Sequence, residues 1–169
     1  MRSVFVYNPQ SRGLVLRFKH AHDFSYLSLL EEWLARYGGK LCADADYIVP
    51  VPLHWFRLGA RGFNQAAVLA RLLSKRFKLS YTPRILKRLR STASQGHLSR
   101  SERMRNVQGA FQVPRSWHSR LRGKTCLLVD DVYTTGATFD ACAQALRAAG
   151  ASKVLALTLS RTPHARHLL

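Results

Sequence analysis

The spacing of apolar residues changes period several times along this chain, and each change predicts an element. Tyr26, Leu29, Leu30, Trp33, Leu34 and Tyr37 recur at helical spacing, which predicts an amphipathic helix stopped by Gly38 and Gly39. Upstream, residues 13–20 suggest a shorter helical turn with Leu14 and Phe18 on one face and Arg17 and Lys19 turned outward. Tyr47, Ile48, Val49 and Val51, broken by Pro50 and Pro52, suit a buried strand that ends in a stiff loop. Asn64 can then cap a helix in which Ala66, Leu69, Ala70, Leu73 and Phe77 share one face.

Residues 87–106 lose this periodicity and become basic and serine-rich, which predicts a long mobile loop with a late helical turn from Ser99. Loops of that length inside a compact domain tend to be lids or disordered segments. Strand character returns at residues 111–113. The last third is sharpest: a strand over residues 125–129, a helix over 138–149 closed by Gly150, and a strand over 153–159. That order makes a βαβ unit, with a right-handed crossover and a parallel sheet. The fold class is therefore α/β.

The chemistry concentrates where the first of those strands stops. Leu127, Leu128 and Val129 lead into Asp130, Asp131, Val132 and Tyr133, and then Thr134, Thr135, Gly136, Ala137 and Thr138 open the helix. Free amides at a helix start, three hydroxyls and a glycine that permits close approach form a cradle for a phosphate dianion. The two carboxylates would repel phosphate, yet they can accept hydrogen bonds from sugar hydroxyls. Phosphate beside polyol describes a ribose 5-phosphate. A capped helix whose acids only complement the helix dipole accounts for part of this run, but not for all of it. Gly123, Lys124 and Thr125 imitate the end of a P-loop, but His118 stands where its first glycine is required and the strand follows instead of preceding.

Composition narrows the setting. A chain of 169 residues with 47% hydrophobic content suits one globular domain. The N-terminus lacks the apolar run of a signal peptide and nothing approaches a membrane span, so the cytoplasm is the expected compartment. Cys42, Cys126 and Cys142 are odd in number and far apart, which predicts reduced thiols, with Cys126 and Cys142 packed as small apolar groups. The net charge of +18 points to polyanions: nucleic acid, anionic lipid or a phosphorylated small molecule.

The run from 127 to 138 resembles the 5-phosphoribosyl 1-diphosphate signature of type I phosphoribosyltransferases. Two further segments narrow the resemblance to the ComF/GntX family, the competence protein ComF-like phosphoribosyltransferases. One runs from Val49 through Pro50, Val51, Pro52, Leu53 and His54 into Arg61, Gly62, Phe63, Asn64 and Gln65; the other comprises Arg90 to Gln95, Leu98 to Arg103, Asn106 and Gly109 to Phe111. The resemblance implies a type I phosphoribosyltransferase fold, a mainly parallel sheet flanked by helices, with an N-terminal helical hood over residues 1–44 and a core over 45–169 that carries the loop 87–106.

It also implies roles. Asp130 and Asp131 would order the ribose hydroxyls, and Thr134, Thr135, Gly136, Ala137 and Thr138 would hold the 5-phosphate. The loop Val51, Pro52 and Leu53 would receive pyrophosphate through backbone groups, helped by Arg57 and Arg61. Arg88 and Arg90 are catalytic candidates, with Thr92, Gln95, Arg100 and Arg103 on the closing loop. Trp33 and Tyr37 are available to stack an acceptor base, though both lie on the apolar stripe of their helix. Mg²⁺ would enter with the substrate and not through a direct protein site. Family members usually begin with a zinc ribbon; its paired cysteines are missing from this sequence, either because the ribbon was lost or because the true start lies upstream, and no zinc is expected for the residues given.

The implied reaction displaces diphosphate from the ribose C1 by a nitrogenous acceptor. The alternative is a non-catalytic single-stranded DNA-binding protein, partner of a competence helicase, that keeps the fold as a ligand sensor in DNA uptake. Candidate partners are thus a phosphorylated sugar, single-stranded DNA with such a helicase, and a second copy of the chain.

Overall fold

Neighbouring residues Ile48 and Val49 are both fully buried, and so are Leu127 and Leu128. Successive strand side chains point to opposite faces, so a strand buried at every position must be covered on both sides. The computed structural model, which describes residues 1–9, 11–13, 26–54, 58–59, 62–90 and 100–163, shows that arrangement. The strands are β1 (Arg2–Val6), β2 (Tyr47–Pro50), β3 (Ser80–Tyr81), β4 (Lys87–Arg88), β5 (Phe111–Gln112), β6 (Thr125–Tyr133) and β7 (Lys153–Arg161). The helices are α1 (Leu27–Ala43), α2 (Gln65–Phe77), α3 (Arg100–Val107), α4 (His118–Leu121) and α5 (Ala137–Ala148).

Five strands form one parallel sheet in the order β1-β7-β6-β2-β3, and β4 with β5 makes a small antiparallel ribbon. This is the mainly parallel sheet flanked by helices that the sequence led us to expect. On one face Ile48, Leu127, Val129 and Leu157 pack against Leu30 and Leu34 of α1 and Leu69 and Leu73 of α2. On the other, Val49, Cys126 and Leu128 meet Phe139, Cys142 and Leu146 of α5, with Ile85 and the ribbon's own Phe111 in the same cluster. Each such leucine stabilises the fold by about 1.5–3 kcal/mol through burial.

Asn64 caps α2 as its position suggested, its Oδ1 accepting from the Ala66 amide at 3.0 Å. All three cysteines are free and buried. Burial pushes the Cys42 thiol up to about 11 and that of Cys126 up to about 12, so both behave as inert packing groups. No helix among the described residues is long and apolar enough to cross a membrane.

Several expectations change. Helix α1 does not stop at Gly38 and Gly39 but continues to Ala43. Gly38 is buried, and a Cβ there would strike the side chain of Leu157, so the glycine lets the helix settle onto β7. The strand expected over residues 125–129 extends to Tyr133, and its partner extends to Arg161. Strand β1, unforeseen in the sequence, adds an edge along β7 with Arg2 opposite Leu157 and Val6 opposite Arg161. Within 87–106, Lys87–Arg88 is a strand and the helical turn is the eight-residue α3; residues 91–99 lie outside the described set, as do 14–25.

Gly38→Val is expected to cost about 1–3 kcal/mol by overpacking against Leu157. Gly39→Ala, whose Cβ would meet Phe77 at an ordinary 3.7 Å, should instead gain up to about 1 kcal/mol of helix propensity. Urea unfolding of the two variants checks the contrast, and equal behaviour would contradict the packing role of Gly38.

Candidate functional site

In a parallel sheet the C-terminal strand ends open on one rim, and β6 carries its two acids to that rim. The register sets Asp130 opposite Thr158 and Val132 opposite Ser160, so both acids lie within the strand and not after its end. The Asp131 amide donates to Asp130 Oδ1 at 2.9 Å, and the Val132 amide donates to Asp131 Oδ1 at 2.8 Å. Each half-buried carboxylate is thereby oriented by the next residue's backbone. Past the strand, the Thr162 amide donates to the Tyr133 carbonyl at 2.9 Å and its hydroxyl donates to the Thr134 carbonyl at 3.4 Å. The end of β7 thus pins the turn that follows.

That turn forms the cradle. Gly136 is the N-cap of α5 with φ 87°, and no side chain caps the helix. First-turn amides of an α-helix have no partner inside the helix, which suits them to an anion. A Cβ at Gly136 would run into the Tyr133 hydroxyl, so conformation and space both demand glycine. Thr135 Oγ1 is buried without a hydrogen-bond partner. A buried hydroxyl left unpaired costs about 1–3 kcal/mol, a cost that a bound phosphate oxygen would remove.

The proline loop lies alongside. Pro50 stands opposite Val129, and the Val51 amide donates to the Val129 carbonyl at 2.9 Å, which brings residues 51–54 next to Asp130. Asn64 Nδ2 donates to the Val51 carbonyl at 3.1 Å while its Oδ1 caps α2. This second duty of Asn64 was not legible in the sequence, where only the cap could be inferred. Pro52 and Leu53 are half-buried and His54 is buried. Arg57 and Arg61, expected to help here, lie outside the described residues.

The basic candidates separate. Arg88 is half-buried, with its guanidinium 5.3 Å from the centre of the Phe111 ring. The buried Cys142 thiol is raised well above its ordinary value, first by desolvation, then by the charge of Asp130, with the charge of Arg88 opposing. One buried thiol therefore feels both Asp130 and Arg88. Arg90 is exposed and donates to the Gln108 carbonyl, which ties it to the ribbon's own loop. Arg103 on α3 is half-buried, with an Nε that has no partner. Thr92, Gln95 and the side chain of Arg100 lie outside the described set.

Between α3 and α5 lies a cavity of about 320 Å³ lined in part by Arg105, Gln108, Ala137 and Asp140. Trp33 and Tyr37 are not brought to the cradle. Trp33 packs edge-on against Phe5, ring centres 6.3 Å apart, and the Tyr37 carbonyl accepts from Arg2, both at the outer edge of the sheet. The described residues contain no group of three or more His, Cys, Asp or Glu placed to hold a metal. Two adjacent hard-oxygen donors, Asp130 and Asp131, suit Mg²⁺ shared with substrate oxygens and water.

The phosphoribosyl transferase domain family matches residues 62–168. The chain is 32% identical over 157 residues to competence protein F of Haemophilus influenzae, covering 88% of this chain and 66% of that protein. It is 38% identical over 166 residues to DNA utilization protein YhgH of Salmonella typhi, covering 95% and 71%, and 32% identical over 163 residues to competence protein ComFC of Bacillus subtilis, covering 95% and 64%. The chain spans about two-thirds of the length of these relatives. Among solved structures, orotate phosphoribosyltransferase from Aeropyrum pernix aligns with a TM-score of 0.49 at 22% identity, over 82% of this chain and 61% of that one.

Gly136→Ala is expected to leave the sheet folded but to distort the turn. Binding of inorganic phosphate, followed by the NMR shifts of the Thr135 and Ala137 amides, should weaken at least tenfold, about 1.4 kcal/mol. Unchanged phosphate shifts would contradict the cradle.

Proposed function

The chain belongs to the phosphoribosyltransferase family, in its ComF-type branch, and from that premise we propose that residues 127–138 bind 5-phosphoribosyl 1-diphosphate with Mg²⁺. The observation that carries this reading is the buried, unpaired Thr135 hydroxyl beside a glycine N-cap that no side chain fills. The amides of α5 and the threonine hydroxyls take the 5-phosphate. Asp130 and Asp131, held by their following amides, accept from the ribose hydroxyls. The backbone of residues 51–54 faces the pyrophosphate, and Arg88 adds positive charge on the same side. When bound, Mg²⁺ supplies charge that offsets the departing diphosphate.

Transfer of the phosphoribosyl group to a nitrogenous acceptor follows from this reading, in a protein of the cytoplasm serving DNA uptake. Positioning and electrostatics carry such a reaction. A second reading, binding of single-stranded DNA beside a competence helicase, is favoured by the net charge of +18.

Saturating 5-phosphoribosyl 1-diphosphate with Mg²⁺, at a hundred times its Kd, should stabilise the fold by about 2.7 kcal/mol and raise Tm by roughly 5–10 °C. Asp130→Asn with Asp131→Asn keeps an Oδ1 acceptor at each position but removes the charge, so the unliganded Tm should hold while the shift disappears. No shift in the unaltered protein at millimolar ligand would refute the binding reading. Release of pyrophosphate on adding a mixture of nitrogenous bases tests transfer separately.

A further inference from the structure

Between Glu102 and Asp130 the chain contains no acid, and the middle of that span surfaces as one basic stretch. It comprises a turn of 3-10 helix (Arg115–Trp117), α4 and the link into β6. Arg115, Arg120 and Arg122 are exposed, and Leu121 is the side chain that pins the stretch into the core. Among the described residues no acid pairs with any of the three arginines, whereas the neighbouring Lys124 is committed to Asp46 at 2.9 Å. Trp117 is half-buried, edge-on to Tyr47 with ring centres 6.3 Å apart, and the Arg120 guanidinium lies 5.3 Å from its ring centre. The stretch is rigidly mounted: the Gly123 amide donates to the Gly150 carbonyl, and the Ser152 amide to the Lys124 carbonyl.

We infer that this basic and aromatic stretch, at the end of the sheet opposite the phosphate cradle, is a binding surface for single-stranded nucleic acid. Arg115, Arg120 and Arg122 take backbone phosphates, and the Trp117 and Arg120 planes stack an unpaired base. Aromatic and guanidinium planes among uncompensated arginines favour an unpaired strand over a duplex, whose bases are already stacked. A membrane is disfavoured because, among the described residues, the exposed large apolar ones, Val6, Leu29, Tyr37, Leu58, Leu89 and Met104, all lie elsewhere. The nine residues of β6 hold this surface roughly 26 Å from the cradle, at about 3.3 Å per residue, so strand and sugar phosphate can bind together.

The inference rests on the second reading above for the class of polyanion, and it adds the location. The test is fluorescence anisotropy of the full chain with a labelled oligothymidine at several salt concentrations. Arg115→Ser, Arg120→Ser and Arg122→Ser combined should lower affinity at least tenfold and reduce the slope of log K against log salt by about 2. The control combines Arg71→Ser, Lys75→Ser and Arg76→Ser on exposed positions of α2, and should change affinity less than about threefold. Trp117→Leu should lower affinity by about 5-fold or more with the slope unchanged.

Each variant should keep its thermal response to 5-phosphoribosyl 1-diphosphate, or its unliganded Tm where the unaltered protein shows no such response. Equal losses in both triple variants would overturn the location, leaving diffuse charge as the cause. No binding of the oligonucleotide by the unaltered protein would overturn the nucleic-acid reading itself. Binding to phosphatidylserine vesicles that competes with the oligonucleotide and falls in the same arginine variant would assign the surface to lipid and overturn the proposal.

Discussion

The pairing of β2 with β6 is the constraint on which the site depends. Pro50 opposite Val129 is the last paired residue of β2, and the Val51 amide makes the final bond of the ladder, to the Val129 carbonyl. From that point the two chains leave the sheet together, one as the proline loop and the other as the acidic end of β6. A slip of one residue would exchange the faces of Ile48 and Val49 between two differently shaped layers. It would also part residues 51–54 from Asp130. The packing of both faces therefore fixes the local geometry at the strand ends.

The legible parts of the fold were those where local sequence and tertiary demand agree. Asn64 reads as a cap and is one; the apolar faces of α1, α2 and α5 follow helical spacing and meet the sheet. Disagreement arises where a distant contact overrides local preference. Gly38 has the composition of a helix stop, yet Leu157 needs the space above it, and the helix continues. Asp130 and Asp131 are poor strand residues, yet Thr158 and Ser160 of β7 keep pairing alongside them, and the strand runs on. Strand β1 and the Lys87–Arg88 strand are short edge elements set by their partners, with too few residues to show a period of their own.

The parts of the proposed cradle stand together in the sequence because they are consecutive: acids, threonines and glycine follow one another along the chain. What joins them to the rest is not legible there. The Asn64 side chain links the Val51 carbonyl to the start of α2, and Arg88 and Asp130, far apart in sequence, act on one buried thiol, Cys142. Neither relation leaves a trace in spacing. Trp33 and Tyr37 show the converse, aromatic residues whose chemistry suits a base and whose positions are used at the sheet edge. Residue type proposes a role, and only topology assigns it.

A site that would hold phosphate beside two carboxylates also faces an electrostatic problem, since the acids would repel the anion they adjoin. Helix amides at Gly136 would offset this locally, and the net charge of +18 at longer range. The long-range part is screened within about 8–10 Å at physiological salt, so cations at the far end of β6 contribute little to the cradle. Solubility does not explain them either, because an evenly spread charge would serve that end equally well. Arginines left unpaired beside an aromatic ring, on a span of chain cleared of acids, are arranged for a local anion of their own. On the two proposals the sheet would use positive charge at each end, with β6 the spacer that keeps the two places independent.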